Sequence, residues 1–175
     1  MPSSEPTIAE LMRSCSRSAV HLEMRDRYGT AAEAKDFQVW LDTGRLDTDP
    51  GSSEWAPWVA LVSQTVGRGV SVRRARIVSE PVTDYIRYEH ASTVVNLQAG
   101  EEVRWLPRRR ASDIALPGND FWLFDNQVIR WGYFSGDGAI VGHEVSEDPA
   151  AAKLCSEAFG AVWDRAIPHD QYTIR

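Results

Sequence analysis

A chain of 175 residues with a formal net charge of −6 and 43% apolar residues, seven Trp among them, is long enough to bury a core of its own and too apolar for global disorder. No apolar run approaches the roughly 20 residues that span a bilayer, and MPSSEPTIAE lacks the basic-then-apolar order of a secretion signal, so a cytoplasmic single domain over 1–175 is the expectation. Cys15 and Cys155 stand far apart and outside any metal-type spacing, which suits buried, reduced thiols.

Thr7 followed by Glu10 makes a capping box, and Ile8, Leu11, Met12 and Cys15 then share one face of a helix over about 8–17. The period changes to two at Val20, Leu22 and Met24, which face one way, while His21, Glu23 and Arg25 face the other, as in a half-buried strand with His21 pointing outward. A helix over about 31–43 offers Phe37, Trp40 and Leu41 as its buried stripe and stops near Gly44, and GRLDTDPGSS is a loop. Ser53 caps a third helix, with Trp55, Trp58, Val59, Val62 and Val66 at helical spacing, Pro57 tolerated in the first turn, and Gly67 and Gly69 ending it.

A strand over 70–78, a helix started by Ser79 and Pro81 and ended by Gly100, and a strand over 102–106 make a strand-helix-strand unit. That pattern normally joins parallel strands by a right-handed crossover. Its helix turns Val82, Tyr85, Ile86, Val94 and Leu97 inward. Pro117, Gly118 and Asn119 are turn residues, 121–124 and 128–134 form a hairpin through Asp125, Asn126 and Gln127, and a turn at 135–138 leads to a strand over 139–145. Asp148 caps a last helix with Pro149 in first position and Leu154, Ala158, Phe159, Val162 and Trp163 as its core face, and the residues from 168 read as a tail. The fold class is α/β, with α+β as the alternative: a mixed sheet, a central strand-helix-strand crossover, a C-terminal hairpin region and flanking helices.

Over 68–110 there are nine Arg and five acids, so the rest of the chain carries a net ten negative charges. Arg74 and Arg76 share one strand face with Arg73 on the other, and Arg104 on the next strand stands beside one of these groups. Arg74, Arg76, Arg87, Arg104, Arg108 and Asp120 are the candidate ligand-binding residues, a groove for phosphate, carboxylate or a nucleic-acid backbone. The competing reading is that Glu80, Asp84, Glu89, Glu101 and Glu102 neutralise this surface. His90 beside Glu89 and His143 beside Glu144 are acid-base candidates, but neighbours in sequence point in different directions, so adjacency makes no dyad. Asp113, Asp120 and Asp125 match no metal loop, and neither a metal nor a cofactor is implied. Trp105 and Trp122 suit core packing or stacking on a base. An acidic chain without a DNA-binding motif is not expected to read duplex DNA.

The stretch SEPVTDYIRYEHASTVVNLQAGEEVRWLPRRRASDIALPGNDFWLFDNQVIRW, with HLEMRDRY and FGAVWDRAIPHDQY, closely resembles an actinobacterial family known only as a domain of unknown function. That resemblance implies a protein of Streptomyces-type bacteria encoded near helix-turn-helix regulators and small partner proteins. More distantly, the chain is similar to half of a phospholipase D-like domain, whose motif is His-x-Lys-x4-Asp. On GNDFWLFD, Asp125 falls at the motif's Asp, but Gly118 stands where the nucleophilic His belongs and Asp120 where the Lys belongs. Without those two groups the covalent route through phosphorus is absent. The expectation is a non-enzymatic interaction or regulatory module that binds a partner regulator or an anionic small ligand through the Arg surface. The alternatives are a hydrolase or transferase of phosphate-containing substrates, with Arg104 or Arg108 for charge and His90 or Asp120 as acid or base, and a single-stranded nucleic-acid binder.

Overall fold

A computed structural model describes residues 5–29 and 31–175. In chain order the elements are α1 (Ile8–Ser14), β1 (Ser18–Glu23), α2 (Ala31–Thr43), α3 (Ala56–Gly67), β2 (Ser71–Val78), α4 (Asp84–Ala99), β3 (Glu102–Pro107), β4 (Asp120–Phe124), β5 (Val128–Phe134), β6 (Ile140–Ser146), α5 (Pro149–Arg165) and β7 (Ile167–Pro168). The strands form one mixed sheet in the order β6-β5-β4-β1-β2-β3-β7. Its centre, β1 to β3, is parallel, and every other pair is antiparallel. The strand-helix-strand unit is therefore β2-α4-β3, and the hairpin is β4-β5.

Local chemistry sets most of these boundaries. Thr7 Oγ1 accepts from Glu10 N at 3.2 Å while the Glu10 carboxylate accepts from Thr7 N at 2.7 Å, which satisfies two orphan donors of α1. Asp148 caps α5 through Ala150 N at 3.1 Å. Gly100 ends α4 at φ 97, where a side chain would be strained. In the β4-β5 turn Asp125 and Asn126 sit at φ 51 and 58, a region Asp and Asn tolerate better than most residues. The Asp125 carboxylate accepts from the amides of Ser16, Arg17 and Ser18 at 2.7–2.9 Å and so ties the entry of β1 to this turn.

α5 covers one face of the sheet. Cys155, Phe159, Val162 and Trp163 pack there against Val20, Leu22, Ala75, Ile77, Leu123 and Ile129. α1 and α3 cover part of the other face over Ala19, Val72, Trp122 and Phe124, while α2 and α4 cover Val78, Val103 and Trp105. Each fully buried side chain of this size contributes about 1.5–3 kcal/mol. Both cysteines are free and buried.

Several details differ from the sequence reading. α3 begins at Ala56 without a side-chain cap from Ser53, and Ser52 Oγ instead receives Trp55 N at 3.4 Å. Thr83, not Ser79, caps α4, through Ile86 N at 3.1 Å. Leu41, Leu97 and Leu154 lie on outer faces at 44%, 38% and 41% exposure. On α4 and α5 their inward places belong to Asn96 and Cys155, because a helix face is filled by what its neighbours can pair with as well as by what is apolar. The expected tail is part of the packed structure. β7 pairs with β3, Tyr172 is buried, its hydroxyl donates to Glu80 at 2.9 Å, and Val82 N donates to Arg175 O at 2.9 Å.

Candidate functional site

Side chains alternate across a strand, so aligned strands bring matching faces together in rows. On the sheet face away from α5, one row runs Arg74, His21, Trp122, Arg130 across β2, β1, β4 and β5. The next row holds Arg76 beside Glu23, then Asp120, Gly132 and His143. These two rows floor a cavity of about 440 Å³, within the range usual for small-molecule sites. α2, α3 and α4 supply its walls with Glu33, Trp58, Tyr85 and Tyr88, joined by Trp55 just before α3, and Tyr28 and Phe134 add to the aromatic lining.

The floor is a buried charge network. Arg74 Nε donates to Glu101 Oε1 at 2.6 Å and its Nη1 to Glu23 Oε1 at 3.2 Å, and Glu101 also accepts from Asn96 Nδ2 at 2.7 Å. Arg76 pairs with Glu89 and approaches Glu23 Oε2 with Nε at 3.1 Å. Tyr85 donates to Glu33 at 2.8 Å and to Glu89 at 3.2 Å. Burial opposes the Glu23 charge, but the guanidiniums of Arg76 and Arg74 overcome it and hold that carboxyl down at about 2. Burial pushes Asp120 up to about 6 although Tyr28 donates to it, and the Glu23 charge adds to the rise. His21, stacked on Trp122 with ring centroids 4.3 Å apart, is pushed down to about 3 by burial and stays neutral at pH 7. Its Nδ1 is buried and makes no hydrogen bond among the described residues.

Of the six residues singled out in the sequence, Arg74, Arg76 and Asp120 line this cavity. The other three lie elsewhere. Arg87 is exposed on α4. Arg104 shares the α5 face with Arg73, its guanidinium 4.3 Å from the Trp163 ring centroid and its Nη1 donating to Trp163 O at 3.0 Å. Arg108 fastens strand ends, donating to Met24 O at 2.6 Å, Ser79 Oγ at 2.9 Å and Ile77 O at 3.2 Å. The expected Arg surface is therefore dispersed: side-chain alternation puts Arg104 on the opposite sheet face, Arg87 lies on the outer side of α4 and Arg108 follows the end of β3. The neutralising reading holds for Arg73, Arg74 and Arg76, which pair with Glu102, Glu101 and Glu89.

His90 is turned from Glu89 towards Trp105 and His169, and His143 contacts Arg130 while Glu144 takes the Tyr133 hydroxyl, so neither neighbouring pair is a dyad. Asp113 pairs with Arg165, apart from Asp120 and Asp125, and no group of three His, Cys, Asp or Glu among the described residues is arranged to hold a metal ion. Trp105 is buried against Tyr172, with ring centroids 5.6 Å apart. No helix among the described residues is long and apolar enough to cross a membrane.

Sequence reasoning missed Glu23 and placed His21 in solvent, and it gave Tyr28, Trp58, Tyr85 and Arg130 no role in a site. The available signal was the polar half of β1, which carries an acid opposite the Arg pair of β2. Reading that face as solvated ignored the helices that cover it.

The architecture is similar to that of Nuc, a phospholipase D family member from Salmonella typhimurium, at 12% identity and a TM-score of 0.53 over 91% of this chain and 86% of that one. It is also similar to TrmBL2, an archaeal chromatin protein described as binding DNA in a novel mode, at 11% identity and a TM-score of 0.48 over 90% of this chain and 47% of that one. The first likeness shows a phospholipase D-like fold. Comparison with curated proteins returned no match. A family model described as Domain of unknown function (DUF6879) matches residues 6–174.

Proposed function

We propose that this chain, which belongs to the DUF6879 family, is a non-enzymatic binding module for a small organic ligand, which it takes up in the cavity between the sheet and α2 to α4. The observation that carries this reading is the built cavity itself, where aromatic walls surround a floor of buried, mutually paired charges. Such a floor is not explained by packing stability, since buried ion pairs at best roughly break even against apolar residues of the same volume.

The residues at the phospholipase D-like motif positions support binding over turnover. Gly118 has no nucleophile, Asp120 is held by Tyr28 and by Met24 N at 3.0 Å, and Asp125 is engaged by backbone amides. The phosphate-hydrolase roles considered for Arg104, Arg108, His90 and Asp120 are spread over both sheet faces and the strand ends. A partner regulator of the helix-turn-helix type, implied by the family resemblance, would read the occupied state of this cavity.

The test is a fragment screen by ligand-observed NMR with wild-type protein and Trp58→Ala. The expected result is one saturable class of mutually competing hits whose affinity falls at least tenfold in the variant. Hits indifferent to Trp58, or turnover of phosphate esters that Asp120→Asn abolishes, would overturn the reading.

A further inference from the structure

The charge of the cavity lining is not what an Arg-rich floor suggests. Three guanidiniums line it, from Arg74, Arg76 and Arg130, against six carboxylates, from Glu23, Glu33, Asp36, Glu54, Glu89 and Asp120. Arg74 and Arg76 each touch two carboxylates, and Glu101, one of Arg74's partners, sits directly behind the lining. Arg130 lies 3.0 Å from His143 Nδ1. The Arg74 and Arg76 guanidiniums each already face two carboxylates that offset their charge, and an anion that displaced one of them would leave a buried carboxylate without its cation, which is the costly way to break such a pair.

The opposite wall is acidic. Glu33 and Asp36 project from α2, and Glu54 precedes α3. All three lie close enough to act on the Tyr88 hydroxyl, whose proton burial and these carboxylates together make harder to lose. Among the described residues no ion pair includes Asp36 or Glu54. The same wall presents Trp55, Trp58, Tyr85 and Tyr88, whose faces attract cations. On the floor, the buried His21 Nδ1 makes no hydrogen bond among the described residues and marks a polar position that the ion pairs leave open.

We infer that the ligand of this cavity is an organic cation, an amine or quaternary ammonium group on an apolar body, with its charge toward Glu33, Asp36 and Glu54 and its body against the Trp and Tyr faces. The inference rests on the binding-module reading above and specifies its ligand class.

Three probes of one shape separate the two. Benzyltrimethylammonium is the cation, neopentylbenzene its neutral isostere and benzylphosphonate an anion of similar size. Calorimetric or NMR titration of the wild-type protein is expected to give saturable binding of the cation at least tenfold tighter than either of the others. In Asp36→Asn/Glu54→Gln, with folding verified by circular dichroism and thermal melting, the cation-to-neutral preference is expected to fall to within twofold. If the neutral or anionic probe binds as well as the cation, with Trp58 resonances shifting, the cation assignment fails while the binding site stands. If none of the three saturates a site at Trp58, both readings fail. If the preference survives in the double variant, the assignment of Asp36 and Glu54 to the charge fails.

Discussion

Asp120 is a carboxylate kept where burial opposes its charge. Its pKa is raised from an ordinary 3.8 to about 6, so between these values the folded protein holds a proton that the unfolded chain has released. Its contribution to stability is complete below pH 3.8 and is lost as pH rises through 6. Relative to wild type, Asp120→Asn is expected to gain on the order of 3 kcal/mol between pH 3.5 and pH 7.5. Urea unfolding at the two pH values measures this, and a pH-independent difference would show that Asp120 titrates normally. Glu23, one strand away on the same floor, shifts in the opposite direction because two guanidiniums face it. Two carboxylates in one cavity thus differ by their partners, not by their depth.

At the scale of elements, the residues after α5 show how a short segment becomes structural. Tyr172 stacks on Trp105 with ring planes 9° apart, and Trp105 Nε1 donates to His169 Nδ1 at 3.0 Å. Tyr172→Ala removes a buried ring and its hydrogen bond to Glu80, and it is expected to cost about 3–5 kcal/mol in chemical denaturation. A loss below 1 kcal/mol would mean that the segment is dispensable. Burial holds His169 down at about 4, with the neighbouring His90 acting the same way, so its neutral form stabilises this packing fully above pH 6.5. That contribution fades as pH falls towards 4. His169→Gln is therefore expected to flatten the stability profile between pH 6.5 and pH 4, as measured by thermal melting across that range. α4 makes a complementary point. Its inner face includes Glu89, Ser92, Thr93 and Asn96, all buried, which an apolar-periodicity reading leaves to solvent.

The whole molecule divides its sheet into a dry face and a charged one. α5 seals the first with apolar contacts, while the second is roofed by helices over a cavity. Changes on the dry face should alter stability without reaching the site. Val162→Ala, at a fully buried position of α5, is expected to cost about 2 kcal/mol while leaving probe affinity within twofold of wild type. A parallel loss of affinity would show that the two faces are coupled through the strands.

The sequence by itself determined the elements. Caps, Gly stops, turn residues and apolar periods act over a few residues, so the Thr7 box, the Asp148 cap, the β4-β5 hairpin and the parallel β2-α4-β3 unit were legible before any tertiary contact was known. It also placed Arg74 and Arg76 on one face. Only the tertiary structure decided what that face meets. The Arg74 contact with Glu23 spans 51 residues of chain and the Tyr28 contact with Asp120 spans 92, and α2 to α4 close over both. Whether a polar strand face is solvated or enclosed depends on distant elements packing above it. For that reason the cavity, its acidic balance and the separation of Arg87, Arg104 and Arg108 from Arg74 could not be read from local pattern.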